Sequence, residues 1–193
     1  LGNAFVKTGN PDGAIMAFEN AYRLDYDPEV TETAFYNFIA ARMDGGRVPF
    51  GNSVNLLENF LNRYPNSRYA SQVRESLVSG YMSDNDYESA LRILDNINSP
   101  SAEMLRTRQK VEFALGTSRY KAGDTESALR LFSQAAASPQ PDALITRQAL
   151  LWKANCLYDL GRWDEAADDY QKFIRMAPAS DPNLTLARYN LAY

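Results

Sequence analysis

Between residues 154 and 178, apolar or small side chains recur at 154, 157, 160, 163, 166, 170, 173 and 174, in steps of three and four, and Gly161 interrupts them. Steps of three and four line one face of an α-helix, so this stretch predicts a helix, a tight turn and a second helix. Shifted by 38 residues the pattern returns, with Gly116, Gly123, Ala128, Phe132 and Ala135 standing where Ala154, Gly161, Ala166, Tyr170 and Phe173 stood. A further shift of 38 gives Val78, Asn85, Ala90, Leu94 and Ile97. Asn85 takes the turn position, where left-handed backbone accepts asparagine almost as it accepts glycine. Gly2, Gly9, Ala14, Phe18 and Ala21 repeat the spacing at the start, and Ile39, Ser53, Leu57 and Phe60 fit it with two more residues in their turn. A period near forty residues is the mark of a helical array, whose units bury their apolar faces against one another.

The punctuation between these segments agrees with them. Pro11 suits the first turn of a helix running to about Leu24, with Asn10 as its N-cap. Asp86 and Asp124 are predicted N-caps, and Glu88 and Glu126 fall in the first turns that follow, where negative charge complements the helix dipole. Pro100, Pro139, Pro141, Pro178 and Pro182 fall between units, outside helix interiors. The turn from Asp44 to Gly51 is the longest and richest in glycine, and is the one expected to deviate or flex. Strict alternation is absent, so no strand competes. The pattern predicts one all-α domain over 1–193, a right-handed superhelical array of helix-turn-helix repeats with about ten helices. Its repeats are expected at about 1–27, 28–66, 67–100, 101–140 and 141–180, with a partial unit at 183–193. Residues 1–8 read as the second half of a first helix, and both ends read as cut from a longer polypeptide.

Composition removes several function classes. Hydrophobic residues at 45% and charged residues at 23% are those of an ordinary folded protein. The net charge of -4 and a pI near 5.0 speak against nucleic acid, which needs a basic stripe to neutralise phosphates. There is no histidine, so Ser-His-Asp and Cys-His pairs and the commonest metal ligand are absent together. Cys156 is the only cysteine and sits in an apolar pattern beside Leu157 and Leu160, where a thiol is expected to be a packing group. Asp84 with Asp86, and Asp168 with Asp169, are the carboxylate pairs available for acid-base work. They are expected at a turn and on an outer helix face, solvated, without the contrast in environment that separates two pKa values. The chain is therefore read as a non-enzyme with no cofactor, no metal and no membrane span.

A small residue followed twelve positions later by alanine, four later by an aromatic, with proline closing the second helix, resembles the tetratricopeptide repeat. The twelve-residue step runs from Gly2 to Ala14, Val78 to Ala90, Gly116 to Ala128 and Ala154 to Ala166. The units here repeat every 37 to 39 residues, longer than the family's 34, so either the first helices or the junctions are lengthened. The stretch Phe60, Leu61, Tyr64, Pro65, Ser67, Tyr69 and Ala70 resembles a junction common in bacterial envelope members, such as the periplasmic Tol-Pal coordination protein and outer-membrane assembly lipoproteins. That likeness implies a periplasmic or outer-membrane-associated setting.

The resemblance also implies a partner groove on the first helices. Carried over by position, its residues are Asn3 and Lys7, then Tyr36, Asn37 and Met43, then Met82, then Phe113 and Tyr120, and finally Asn155 and Tyr158. Such a mixture of aromatics, methionines and amides suits an extended peptide or a helix of a partner protein. Self-association through the repeat ends is a further expectation. Chaperone-binding relatives hold a carboxylate with two asparagines and several cations. Asn3 and Asn37 occupy the asparagine positions, but Gln72 and Ser76 stand where cations are needed, so that clamp is rejected. The competing reading is a glycan-binding module using exposed aromatics, since the chain carries twelve tyrosines and two tryptophans. Aromatic faces paired with carboxylates in a compact pocket would favour sugar. Burial of Tyr36, Phe113, Tyr120 and Tyr158 between units would end the groove reading.

Overall fold

The computed structural model describes residues 1–44 and 50–192. The glycine-rich turn singled out above lies mostly outside the described residues. Among them there are eleven helices and no strand: α1 (Gly2–Lys7), α2 (Pro11–Leu24), α3 (Pro28–Asp44), α4 (Phe50–Arg63), α5 (Ala70–Ser83), α6 (Tyr87–Asp95), α7 (Ala102–Lys121), α8 (Thr125–Ala136), α9 (Ala143–Asp159), α10 (Trp163–Met176) and α11 (Leu184–Ala192). The array divides into two compact units, Leu1–Ile93 and Leu94–Tyr193, with the division inside α6.

The repeated spacing is a packing code. Gly2, Ala14, Val78, Ala90, Gly116, Ala128, Ala154 and Ala166, the four twelve-residue pairs, are all buried. At two of them nothing larger than hydrogen fits. A Cβ on Gly2 would lie 2.4 Å from the Phe18 ring, and one on Gly116 would lie 2.9 Å from the Phe132 ring. In both repeats the aromatic sixteen residues on fills the space the glycine leaves. Ala154 with Tyr170 is the same arrangement in the last full repeat, where the two share one core cluster with Leu157, Phe173 and Leu184.

Turns and caps follow the predicted chemistry. Gly9, Asn85, Gly123 and Gly161 have φ of 68, 59, 83 and 73°. At each turn the next residue's N–H reaches back five positions, Asn10 to Phe5, Asp86 to Tyr81, Asp124 to Arg119 and Arg162 to Leu157, at 2.9, 2.8, 3.0 and 2.9 Å. These bonds satisfy carbonyls that the helix end leaves open. The Asn10, Asp86 and Asp124 side chains accept from the N–H groups of Gly13, Ser89 and Ser127 at 2.9, 3.1 and 3.1 Å. The last repeat has no such cap. There Arg162 instead forks onto Glu165 with two bonds of 2.7 Å.

In each of these repeats the first helix is the longer of the pair: α3, α5, α7 and α9 have 17, 14, 20 and 17 residues, against 14, 9, 12 and 14 in the partners α4, α6, α8 and α10.

In unit 1 the core is built from Phe35, Phe38, Leu57, Phe60, Val73 and Leu77, all buried. Aromatic rings link its helices, with Tyr22 stacked on Phe35 at 4.7 Å and Phe35 tilted against Phe60 at 5.5 Å. Unit 2 is drawn together by a polar side chain as well. Gln109 on α7 is fully buried, and its Nε2 donates to the Ala135 carbonyl at the end of α8 and to Thr146 Oγ1 on α9, at 2.8 and 2.9 Å. Its Oε1 accepts from the N–H of Asp142, the cap of α9, at 2.8 Å. One carboxamide thus joins three helices.

One expectation is corrected. Asp168 is exposed as expected, but Asp169 is 2% exposed, held by Lys153 at 2.8 Å and Lys172 at 2.6 Å. The two are not a solvated pair: successive residues on a helix face different ways, and Asp169 turns toward α9.

Candidate partner-binding surface

The chain positions its candidate side chains on the first helix of each repeat, where the second helix covers one face and leaves the other open. None of the ten is buried: Asn3, Lys7 and Tyr158 are exposed, and Tyr36, Asn37, Met43, Met82, Phe113, Tyr120 and Asn155 are half-buried.

In unit 1, Asn3 and Asn37 line the same cleft of about 360 Å3. Its wall on α3 consists of Glu29, Val30, Thr33, Ala34 and Asn37, and its apolar floor includes Ala17, Phe18 and Ala21 from α2. Glu29, Thr33 and Asn37 succeed one another every four residues and so share a face of α3. A second open cleft, of about 410 Å3, adjoins it through Glu29 and Thr33 and is bounded by Glu32 and by residues 64–68. The junction between repeats forms this wall. Ser67 Oγ donates to Glu32 at 2.6 Å, and Arg68 Nη2 donates to Thr33 Oγ1 at 3.2 Å. The Tyr36 ring stacks face to face on Tyr69 with centroids 4.0 Å apart, and the Arg68 guanidinium sits 4.8 Å from the Tyr69 centroid. Glu29, Glu32 and Arg68 escaped the family-based reading, which pointed to groove positions alone. Their signal was the junction motif itself, whose tyrosine, serine and arginine face α3.

In unit 2 the candidates are partly committed to packing. Phe113 is tilted against the buried Phe132 at 5.7 Å. Tyr120 sets its ring edge on Trp152 at 5.2 Å, and its hydroxyl donates to Asp159 at 2.7 Å. That bond, followed by burial, pushes the phenol up to about 12. Asn155 accepts the hydroxyl proton of the buried Tyr170 at 2.7 Å, and Tyr170 Oη accepts from Asn190 at 2.9 Å. The Tyr170 hydroxyl thus brackets α9, α10 and α11, and Asn155 is committed to it. Tyr158, 38% exposed, is the freest aromatic among the four that decide the groove reading.

No group of three or more His, Cys, Asp or Glu side chains able to hold a metal occurs among the described residues. No helix there is long and apolar enough to cross a membrane. Cys156 is fully buried, and burial pushes its thiol up to about 12.

Residues 113–181 match the tetratricopeptide repeat family. They take in the end of α7, all of α8 to α10 and the start of the chain toward α11, which are the best-preserved copies of the spacing. The whole array has that family's fold. A chain in the structure of Naa15/Naa10 bound to HypK-THB superposes with a TM-score of 0.54 and 22% identity over 98% of this chain, which spans 27% of its length. A MamA mutant superposes at 0.52 with 22% identity, covering 96% of this chain and 93% of its own. MamA AMB-1 does so at 0.51 with 21% identity, covering 96% and 92%. At these identities the likeness concerns the fold. No curated protein sequence matches.

Proposed function

We propose that this chain is a non-catalytic protein-interaction scaffold that holds a segment of a partner protein, an extended peptide or a helix, against the open faces of its first helices, in a bacterial cell envelope. The observation that carries the reading is the cleft of about 360 Å3 in which Asn3, Val30, Thr33 and Asn37 stand over an apolar floor that includes Phe18 and Ala21. Binding sites are typically concave and apolar with a few placed polar groups, and this one has that composition. Amides on both walls are suited to a peptide backbone, which offers a donor and an acceptor at each residue. The sole aromatic lining this cleft, Phe18, is buried beneath it, so this cleft offers no open ring face to a sugar.

The tetratricopeptide-repeat-like fold supports the reading, since stacked repeats make extended surfaces for partners. One solved array of this fold belongs to a protein complex, Naa15/Naa10 with HypK-THB. The polar groups with chemical potential are engaged in structure: Asp86 and Asp124 cap helices, and Asp169 pairs with two lysines. A thiol whose pKa is pushed up to about 12 supplies little thiolate near neutrality. The envelope setting rests on the junction at residues 60–70.

A photo-crosslinking amino acid placed at Thr33 of the full-length protein in its own cells tests the groove. The expected result is a discrete crosslinked protein that is absent when the same group replaces exposed Arg130 and reduced by Asn37→Ala. The same products from both positions would sink the reading. Osmotic-shock fractionation tests the setting, and recovery in the cytoplasmic fraction counts against it.

A further inference from the structure

The groove of unit 1 has a charge as well as a shape. Its two adjoining clefts share Glu29 and Thr33, and the charged side chains lining them are Glu29, Glu32 and Arg68. Arg68 is engaged, donating to Thr33 Oγ1 at 3.2 Å with its guanidinium 4.8 Å from the Tyr69 centroid. Glu32 accepts one bond from Ser67 Oγ at 2.6 Å. Glu29 is exposed and belongs to no ion pair among the described residues. Two carboxylates against one guanidinium leave this end of the groove acidic, and the carboxylate bordering both clefts is the free one. The apolar lining of the groove begins next to it, at Val30 on the same helix. From Glu29 to Asn37 the face of α3 rises about 12 Å at 1.5 Å per residue, the length of about four residues of extended chain.

We propose that the unit 1 groove takes an extended partner segment in which an apolar side chain adjoins a lysine or arginine. The apolar side chain rests on Phe18, Ala21 and Val30, its backbone meets the amides of Asn3 and Asn37, and the cation lies against Glu29 and Glu32. A partner carboxylate here would meet two like charges, which complementary interfaces avoid. The polarity is the reverse of a carboxylate clamp, whose cation positions are filled by Gln72 and Ser76 in this chain. The proposal rests on the groove reading given above and adds the partner's charge to it.

The test titrates the full-length chain with acetylated, amidated tetrapeptides that carry a leucine followed by arginine, glutamine or glutamate. Binding is read from the 15N–1H shifts of residues 29–37. The arginine peptide is expected to bind about tenfold tighter than the glutamate peptide in low salt, a difference that shrinks in 1 M salt, where the Debye length is about 3 Å. The double change Glu29→Gln with Glu32→Gln, which keeps an acceptor for Ser67, removes the preference, and Glu29→Lys inverts it. Far-UV circular dichroism establishes that each variant keeps its helices. Equal binding of all three peptides, or a preference that survives the double change, overturns the charge assignment and leaves the groove reading standing. If no peptide of any charge moves residues 29–37 of the folded chain, both fall.

Discussion

Residues of like chemistry do opposite things in this chain, and burial separates them. Phe132 is fully buried against Gly116, whereas Tyr158 is 38% exposed on the next repeat. Truncating Phe132 to alanine removes a ring that the glycine cannot replace, so a loss of about 3–5 kcal/mol is expected in urea unfolding. Tyr158→Ala should cost less, about 1–2 kcal/mol, since a ring that is 38% exposed gives up less buried area. Asp168 and Asp169 form a second contrast. Asp169→Asn strands Lys153 and Lys172 beside a buried amide, and about 2 kcal/mol is expected, below the full cost of breaking a buried pair because both lysines are partly exposed. Asp168→Asn should stay within about 0.5 kcal/mol. Thermal melts of the two variants side by side give the answer.

At the scale of elements, the repeats are clamped by polar bonds that their spacing does not announce. Gln109 ties α7 to the end of α8 and to the cap of α9. Gln109→Ala leaves the Asp142 N–H and the Ala135 carbonyl without their partner, and a loss of about 3 kcal/mol is expected, with hydrogen exchange quickening first at the start of α9. Tyr81 on α5 donates to Glu58 on α4, and burial first, then that bond, pushes its phenol from 10.0 to about 12. The folded state therefore holds this proton more tightly than the unfolded chain. Its contribution is complete below about pH 10 and is lost as the pH rises through about 12. Denaturant midpoints between pH 9 and 12 should fall in the native protein and fall less steeply in Tyr81→Phe. Element boundaries were legible because turn and cap chemistry is local: Asn85, Asn10, Asp86 and Asp124 act on backbone within five residues of themselves. Gln109 was not legible, since its partners lie 26, 33 and 37 residues away.

For the whole molecule, a chain of stacked repeats that clusters into two compact units is expected to unfold as a sum over neighbours more than as a single event. Both tryptophans, Trp152 and Trp163, lie in unit 2, so their fluorescence reports that unit alone. Phe60→Ala, in the core of unit 1, is expected to lower the midpoint seen by circular dichroism more than the midpoint seen by fluorescence. Coincident shifts would mean that the chain unfolds as one cooperative body.

Period, helix pairing, turn residues and the buried small-aromatic pairs were determined by the sequence itself. Each depends on side-chain volume and backbone preference at short, repeated distances, and a repeat prints the same requirement several times. Which open-face residues are free was decided only in the tertiary structure. Asn155 and Tyr158 share a helix and a predicted role, yet the Tyr170 hydroxyl engages the first while the second stays exposed. Asn3 and Asn37, 34 positions apart, line one cleft because α1 and α3 both flank α2. Glu29 borders a second cleft as well because residues 64–68 dock on α3. Such juxtapositions join residues by packing across helices, and no periodic pattern encodes them.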